Sequence, residues 1–446
     1  MIPTPSKGLI VAAPASGSGK TLITLALLRA LKNAGIKVAS AKVGPDYIDP
    51  AFHARSSGHA CLNLDTWAMR KSTLARTFAR LDQSGHLIIV EGVMGLFDGA
   101  DSDDDQSDGS AASLARLTGW PVILVVDARA QAASAAAVVR GFADHAADVD
   151  VAGVLFNRVG SGAHGDILRR ACATHLPHIP ILGCLPRQES LVLPERHLGL
   201  VQAGEHDQLD SFLDRAADWV AEHTDLKRLQ TLAGVRCDRA DVPSMVSIEP
   251  LGHRIAIATD QAFSFYYAGL MQGWRDAGCE VLPFSPLAGE GPDQHADSIY
   301  LPGGYPELHA GRLASNGFID RLITSAQKGV PVFGECGGFM VLGKGLIDAA
   351  GVRHKMAGLL DVETSYANGK LHLGYRQLTT LKSSPLGPAN LRFRGHEFHY
   401  ASIHDLGSDQ PLFAALTAGG DNKGAVGVVR NNVAGSFMHL IDKVDA

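Results

Sequence analysis

Between residues 9 and 31 the chain reads LIVAAPASGSGKTLITLALLRAL, an order of residue types that few folds admit. Residues 9–13 are a short apolar run with the length and branching of a buried parallel strand. Residues 14–19 form a small-residue loop, and Lys20-Thr21 open an amphipathic stretch. Leu22, Leu25, Ala26, Leu28 and Arg29 fall on overlapping helical turns, and Gly35 supplies a helix stop. Strand, glycine-rich loop, Lys-Thr and helix together make a cradle for phosphate. The backbone N–H groups of Ser16, Gly17, Ser18 and Gly19 and the positive end of the helix face the anion. Lys20 reaches the terminal phosphates, and the Thr21 hydroxyl ligates Mg²⁺. Pro14 stands where the formal phosphate-loop motif has glycine, so the match rests on Gly19-Lys20-Thr21 and the flanking periodicities. Those agree better with a nucleoside triphosphate site than with an ordinary strand–helix turn.

The following segments extend the same pattern. Residues 37–42 read as a second strand leading into a loop with Asp46 and Asp49, each beside a proline. Ligands of open parallel sheets lie beyond the carboxyl ends of the strands. The two aspartates can therefore face phosphate through Mg²⁺; turn chemistry is the alternative. Residues 86–90 form an apolar strand ending in Glu91, followed by GVMGLFDG with Asp98. Thr21, Asp46, Glu91 and two phosphate oxygens would make the hard-oxygen set that Mg²⁺ prefers. The acidic run 101–108 reads as a solvated loop or a lid. Strands are expected at 121–127, 151–156 and 180–185, with an alanine-rich helix over 130–147. Asn157 ends one strand, where its amide either reads an adenine edge or closes a turn. Arg196 and His197 suit a polycarboxylate, or a surface turn. Alternating strands and helices predict a doubly wound parallel sheet. A composition shift after residue 205 places an ATP-binding domain at 1–225, a linker at 226–250 and a second domain at 251–446.

The second half restarts with a strand at 254–258 and an aromatic cluster, Phe263, Phe265, Tyr266 and Tyr267, that is either core or pocket lining. A strand at 298–301 leads to Pro302-Gly303-Gly304-Tyr305, a loop whose N–H groups suit an oxyanion. Then Pro331-Val-Phe-Gly-Glu-Cys336-Gly-Gly runs from strand into helix, the tight elbow that presents a nucleophile. The helix N-terminus is expected to lower the thiol pKa. A thiolate needs a base, and His396, His399 and His439 are the candidates. No acid follows His439 two residues on, where Ile441 stands.

Composition narrows the classes. The 446 residues suffice for two or three domains. A net charge of −6 and a pI near 6.3 give no general attraction to nucleic acid or anionic membrane. Apolar runs stay short of the roughly 20 residues that span a bilayer. Six scattered cysteines without a C-x-x-C pair argue against structural zinc or disulfides, and a cytoplasmic location is expected.

APASGSGKT (13–21), KVGPDYIDPAFH (42–53), EGVMGLFDG (91–99), LPERHLGL (193–200), LPGGYPE (301–307), GECGGFMVLG (334–343), GHEFHY (395–400) and SFMHL (436–440) carry a resemblance. The amino half resembles dethiobiotin synthetase-like ATPases, and the carboxyl half resembles class I glutamine amidotransferase domains. Over residues 8–439 the chain is similar to the a,c-diamide synthases of cobalamin biosynthesis. CLNLDTWAMR (61–70) looks more like the members acting on hydrogenobyrinic acid than those acting on cobyrinic acid.

The resemblance implies an α/β fold of two doubly wound domains, a phosphate-loop parallel sheet and a flavodoxin-like glutamine amidotransferase. It implies amidation of the a and c acetates of a corrin polycarboxylate, with acyl-phosphate intermediates, ATP, Mg²⁺ and glutamine. Ammonia is expected to pass between the domains. Cobyric acid synthase and a partition-type ATPase switch are the rival readings, and a homodimer is left open. By resemblance Cys336 is the nucleophile and His439 its base, with Gly303, Gly304 and the Gly337 amide about the oxyanion. Lys20 and Thr21 contact phosphate and metal, Asp46 and Glu91 hold the metal, and Asp49 and Asp98 lie near the carboxylate being activated.

Overall fold

The architecture comes from a computed structural model describing residues 7–82, 86–102, 106–196, 199–236, 246–367 and 369–445. The chain forms two units, Met1–Trp67 with Leu74–Pro243, and Ala68–Thr73 with Ser244–Ala446.

The first unit contains strands β1 (Lys7–Ala12), β2 (Val38–Val43), β3 (Leu62–Leu64), β4 (Leu87–Glu91), β5 (Val122–Asp127), β6 (Val151–Val159) and β7 (Ile181–Pro186). They form one parallel sheet in the order β3-β2-β4-β1-β5-β6-β7. Helices α1 (Lys20–Asn33), α2 (Asp49–Ser57), α3 (Lys71–Leu81), α4 (Ala111–Thr118), α5 (Ala135–Asp144), α6 (Gly162–His175), α7 (Leu209–His223) and α8 (Leu226–Leu232) connect or follow these strands. A short hairpin, β8 (Glu195–Arg196) with β9 (Gly199–Leu200), precedes α7. Strand β10 (Gly234–Val235) pairs antiparallel with the start of β1. The expected linker 226–250 therefore begins with a helix and a strand that belong to the first unit; residues 237–245 of it lie outside the described residues. The acidic run 101–108 is described except for 103–105, and the expected helix 130–147 forms only over α5.

Strand β1 is central and, after Lys7, buried throughout. That explains its continuous apolar sequence, since both faces of a parallel sheet are covered by helices. Leu9 and Val11 pack with Ile23 and Leu27 of α1 in the core. Helix α1 ends at Ala34 and Gly35, whose φ of 78° lies in the left-handed region that glycine enters without strain.

In the second unit the strands are β11 (Arg254–Ala258), β12 (Glu280–Phe284), β13 (Ser298–Leu301), β14 (Val332–Glu335), β15 (Gly345–Ile347), β16 (Arg353–Lys355), β17 (Val362–Ser365), β18 (His372–Thr380), β19 (Arg392–His399), β20 (Ser402–Leu406), β21 (Gln410–Thr417), β22 (Asn422–Arg430), β23 (Val433–Ser436) and β24 (Met438–Lys443). Its helices are α9 (Ala268–Asp276), α10 (Ala310–Ser315), α11 (Phe318–Gln327) and α12 (Gly337–Leu342). Half of the large sheet is the expected parallel layer, β12-β11-β13-β14-β23. The other half, β22-β21-β18-β19-β24, continues it antiparallel. Strands β16-β15-β17-β20 make a separate small sheet.

Phe263, Phe265 and Tyr267 are buried core residues, and the Phe265 N–H donates to Gly303 O at 2.9 Å, anchoring the glycine loop. Arg70, within the segment Ala68–Thr73, donates from Nε and Nη2 to Asp442 Oδ1 at 3.1 and 2.9 Å, and its backbone N–H reaches Oδ2 at 2.8 Å. Asp442 is fully buried. Among the described residues no helix is long and apolar enough to cross a membrane.

Candidate active sites

The phosphate loop leaves the carboxyl end of β1 and turns into α1 through Gly17 and Gly19, whose φ values are 77° and 88°. A Cβ on Gly19 would sit 2.3 Å from Asn157 Nδ2. The Asn157 amide donates to Ser18 O at 2.9 Å, and its Oδ1 accepts from the Arg158 N–H at 2.9 Å. In this geometry Asn157 braces the loop. Ser16 and Gly17 are exposed, while Ser18 is buried and donates to Ala15 O. Beside the loop a cavity of about 520 Å³ is lined by Gly17, Gly19, Lys20, Thr21 and Arg158, among others.

Lys20 is buried, and its Nζ donates to Met94 O at 2.6 Å. Burial lowers its pKa despite Glu91, and the neighbouring charge of Lys42 lowers it further. The 92–98 loop that carries Met94 is pinned to the phosphate-loop strand, Gly92 N to Val11 O and Leu96 N to Ala13 O, both 2.8 Å. Asp98 shapes that loop, its Oδ2 accepting the Gly95 N–H at 2.8 Å.

Sheet register brings the charged residues together. Val11 and Lys42 both align with Glu91 on β4. Thr21 Oγ1 donates to Glu91 Oε1 at 2.6 Å and lies 3.4 Å from Asp49 Oδ2. Lys42 Nζ bridges the same two oxygens, at 2.8 and 2.7 Å. His53, one helical turn after Asp49, meets Glu91 Oε2 at 2.6 Å. Asp46 stands further out: Oδ1 accepts the N–H groups of Ile48 and Asp49, and Oδ2 is 3.8 Å from Lys42. Asp49, more than Asp46, therefore converges with Thr21 and Glu91.

Burial alone would lower the Lys42 pKa, but Asp49, Glu91 and Asp46 outweigh it and hold it well above its ordinary value. Burial likewise pulls His53 down, yet Cys61 and Glu91 raise it to about 10. Burial pushes Glu91 up, and Lys42 with His53 overcome this and keep it below the usual carboxylate range. Asp46 moves up, through burial and then the charge of Asp49. Lys42 and His53 belong to this constellation although sequence reasoning gave them no role. Their one local signal was a lysine inside an otherwise small and apolar strand. Arg196 is held bidentately by Glu205 at 2.8 and 2.9 Å, and His197 lies outside the described residues.

In the second unit Cys336 sits between β14 and α12 with φ 46° and ψ −104°, a strained conformation of the kind that elbows impose. Its N–H donates to Ser436 O at 2.8 Å, tying the elbow to the end of β23. The N–H groups of Gly337 and Gly304 donate toward its sulfur. A Cβ on Gly304 would lie 2.0 Å from Ala262 O, and one on Gly303 would lie 2.4 Å from His439 Cε1. Gly303 therefore seats the imidazole, while Gly304 and Gly337 turn their donors to the thiol.

The thiol differs from expectation. Burial and then Glu307 push its pKa up, and the two N–H groups only partly counter them. α12 is a helix of six residues, too short for its dipole to outweigh this. Cys336 thus rests as a thiol and needs a base.

Of the three histidines considered, His439 is placed by the elbow's own elements. It is fully buried and lies against Gly303, and burial, with the charges of His396 and His399, lowers its pKa to about 3. Its Nδ1 is 3.8 Å from Glu335 Oε2. Glu335 immediately precedes the nucleophile; it accepts Tyr300 Oη at 2.6 Å and the Leu440 N–H at 3.0 Å. Burial raises Glu335 to about 7 against those two bonds. Position 441 offers no carboxylate, and Glu335 stands beside the imidazole at a distance longer than a hydrogen bond. His396 aligns with His439 across β19 and β24, whereas His399 bonds to Ala401 and Glu397.

Two family descriptions fit the chain. Residues 9–201 match the CobQ/CobB/MinD/ParA nucleotide binding domain. Residues 254–445 match the CobB/CobQ-like glutamine amidotransferase domain. Among curated proteins, the hydrogenobyrinate a,c-diamide synthase of Brucella anthropi is 53% identical over 439 residues, covering 98% of both chains. Proteins of the same name from Rhizobium meliloti and Agrobacterium fabrum are 49% and 47% identical, each over 98% of this chain and 99% of their own.

Proposed function

This chain belongs to the hydrogenobyrinate a,c-diamide synthase family, and from that membership we propose how its two sites divide one reaction. The protein is a glutamine-hydrolysing carbon–nitrogen ligase of cobalamin biosynthesis. The observation that carries the division of labour is one chain holding both a phosphate loop whose Thr21 meets Glu91 and a strained cysteine elbow beside a glycine loop that seats a buried imidazole at Gly303 and turns the Gly304 N–H to the cysteine sulfur.

In the first unit the substrate is a corrin polycarboxylate with the a and c acetates as acceptors. Loop N–H groups and Lys20 hold the phosphates of ATP. An acetate oxygen attacks the γ-phosphorus, ADP leaves, and the acetate becomes an acyl phosphate. Lys42, an ammonium with its pKa raised by three carboxylates, faces charge on the transferring group. Thr21 Oγ1, Glu91 Oε1 and Asp49 Oδ2 are hard oxygens within 3.4 Å of the threonine, a donor set that fits Mg²⁺. Bound there, Mg²⁺ would neutralise phosphate charge. Asp98 acts through the loop that positions Lys20.

In the second unit Cys336 attacks the side-chain amide carbon of glutamine as His439 takes the thiol proton. The imidazole, held neutral by its burial, can accept that proton. Gly304 and Gly337 N–H groups hold the developing oxyanion. His439 returns the proton to the departing nitrogen, ammonia leaves, and water then releases glutamate from the thioester. Ammonia displaces phosphate from the acyl phosphate to give the amide.

The test is a crossed pair of variants assayed with glutamine or ammonium. Cys336→Ser should lose amidation from glutamine and keep it from ammonium. Lys20→Ala should lose product from both donors. If Cys336→Ser abolishes both, the separation of the two chemistries is wrong.

A further inference from the structure

The carboxyl-terminal sheet carries a second cluster that neither half-reaction uses. On β19 the residues Glu397 and His399 are two apart, so they share one face of the strand, and His396 points to the other. Across the ladder His372 on β18 is the register partner of His399. Two ligand types at i and i+2 plus a cross-strand neighbour give three donors that converge over the sheet. The position opposite Glu397 is Gly374 (φ 136°), and the space a side chain would take there is approached by Arg376 Nη1.

The hydrogen bonds identify what is missing. His399 Nδ1 lies 2.8 Å from Ala401 O, so that nitrogen carries a proton. A neutral ring then offers only a lone pair at Nε2. Yet Nε2 faces Glu397 Oε1, another acceptor, at 3.1 Å. Two facing acceptors require a cation between or upon them: a proton on the imidazole, or a metal. An imidazole that donates its other N–H to a backbone carbonyl is the usual arrangement around metal ions. Glu397 Oε2 is occupied by Arg376 Nε at 2.8 Å, which fixes the carboxylate and leaves Oε1 for the cluster.

Distances suit a small cation. Ligands bonded at about 2.0–2.1 Å in a tetrahedron lie about 3.4 Å apart. His399 Nε2 and Glu397 Oε1 already meet that spacing, and His372 Nδ1 is 4.0 Å from the same oxygen. All three donor atoms lie within 4.8 Å of one another. The His372 and His399 rings stack in parallel at 4.8 Å and 9°, so the half-exposed His372 must swing out of the stack to bring its nitrogen onto a common ion.

We propose that His372, Glu397 and His399 bind one divalent cation of the Zn²⁺ class, with its fourth position open toward solvent. Two imidazoles and a carboxylate suit Zn²⁺ over Mg²⁺ or Ca²⁺.

The full chain, stripped with chelator and free of nucleotide, would be titrated with Zn²⁺ by competition against a chromogenic chelator. Bound metal would then be counted after equilibrium dialysis. The expected result is one tightly held ion per chain, its affinity reduced at least tenfold in His372→Ala and His399→Gln and unchanged in Cys336→Ser. His372→Ala removes a half-exposed ring and should leave the circular dichroism spectrum unaltered. Absence of a stoichiometric ion overturns the proposal. Retention of the ion in both histidine variants also overturns it, because the metal then sits elsewhere.

Discussion

Replacing Glu335 by glutamine keeps the side chain's size and removes a charge 3.8 Å from His439 Nδ1. When His439 takes the thiol proton its ring becomes an imidazolium in a fully buried site. At an effective dielectric of about 20, attraction between that cation and an ionised Glu335 is ~4 kcal/mol. This charge pair forms only as the thiol is attacked, so most of it should act on the barrier. One decade of rate corresponds to about 1.4 kcal/mol, so the interaction caps the loss near a thousandfold. Because glutamine still offers an oxygen for a hydrogen bond, a fall of about 10²–10³-fold in glutaminase kcat/KM is expected.

The pH dependence makes the test specific. Burial raises the Glu335 carboxyl to about 7, so it is ionised above that pH and neutral below it. His439, lowered to about 3, stays neutral throughout the assay range. The ratio of wild-type to Glu335→Gln activity should therefore be largest near pH 8 and fall about tenfold by pH 6. Amidation from ammonium should be unchanged, which separates an effect on the imidazole from a folding defect. Glutamate release would be followed from pH 5.5 to 8.5 for both proteins. A ratio that is flat with pH, or a loss of less than about threefold at pH 8, would refute the assignment of Glu335 to His439.

Three further substitutions probe the other contacts. Lys42→Met leaves Asp49 and Glu91 buried without their shared cation; breaking such a pair costs about 3–5 kcal/mol. Glu91, depressed in the fold, contributes stability at neutral pH that is lost only as acid reaches its folded pKa. Without Lys42 that pKa rises, so the acid-unfolding midpoint should move toward neutral and ammonium-dependent amidation should fall at least a hundredfold; an unmoved midpoint refutes the coupling. Gly303→Ala places a methyl group 2.4 Å from His439 Cε1, and glutaminase activity should collapse while ammonium-dependent amidation persists. Arg70→Ala strands the fully buried Asp442. It should lower unfolding free energy by about 3–5 kcal/mol in denaturant titrations, with no selective effect on either nitrogen donor.

What sequence reveals here depends on how far apart along the chain the interacting groups lie. Gly19, Lys20 and Thr21 were readable because the strand, the turn and the helix that give them meaning are contiguous. Cys336 was readable for the same reason, and Glu91 because an apolar strand ends on it. Lys42 was not, since its burial appears only when β2 is laid against β4 and α2 brings Asp49 to its ammonium and His53 to the other oxygen of Glu91. The first residues of β22 are mostly exposed, so that strand gave no two-residue alternation to read.

Glu335 shows the limit most clearly. It lies inside the most legible motif of the second unit, yet its partner Leu440 is 105 residues away. Glu335 is the last residue of β14 and Cys336 begins the elbow, so the carboxylate stays with the strand, where it accepts the Leu440 N–H and lies 3.8 Å from His439 Nδ1. An orienting acid placed after the histidine and one placed before the cysteine reach the same imidazole by different strands. Absence of the first at position 441 is thus no evidence that the base lacks a carboxylate. The pH-dependent ratio predicted for Glu335→Gln is the measurement that distinguishes a relocated acid from none at all.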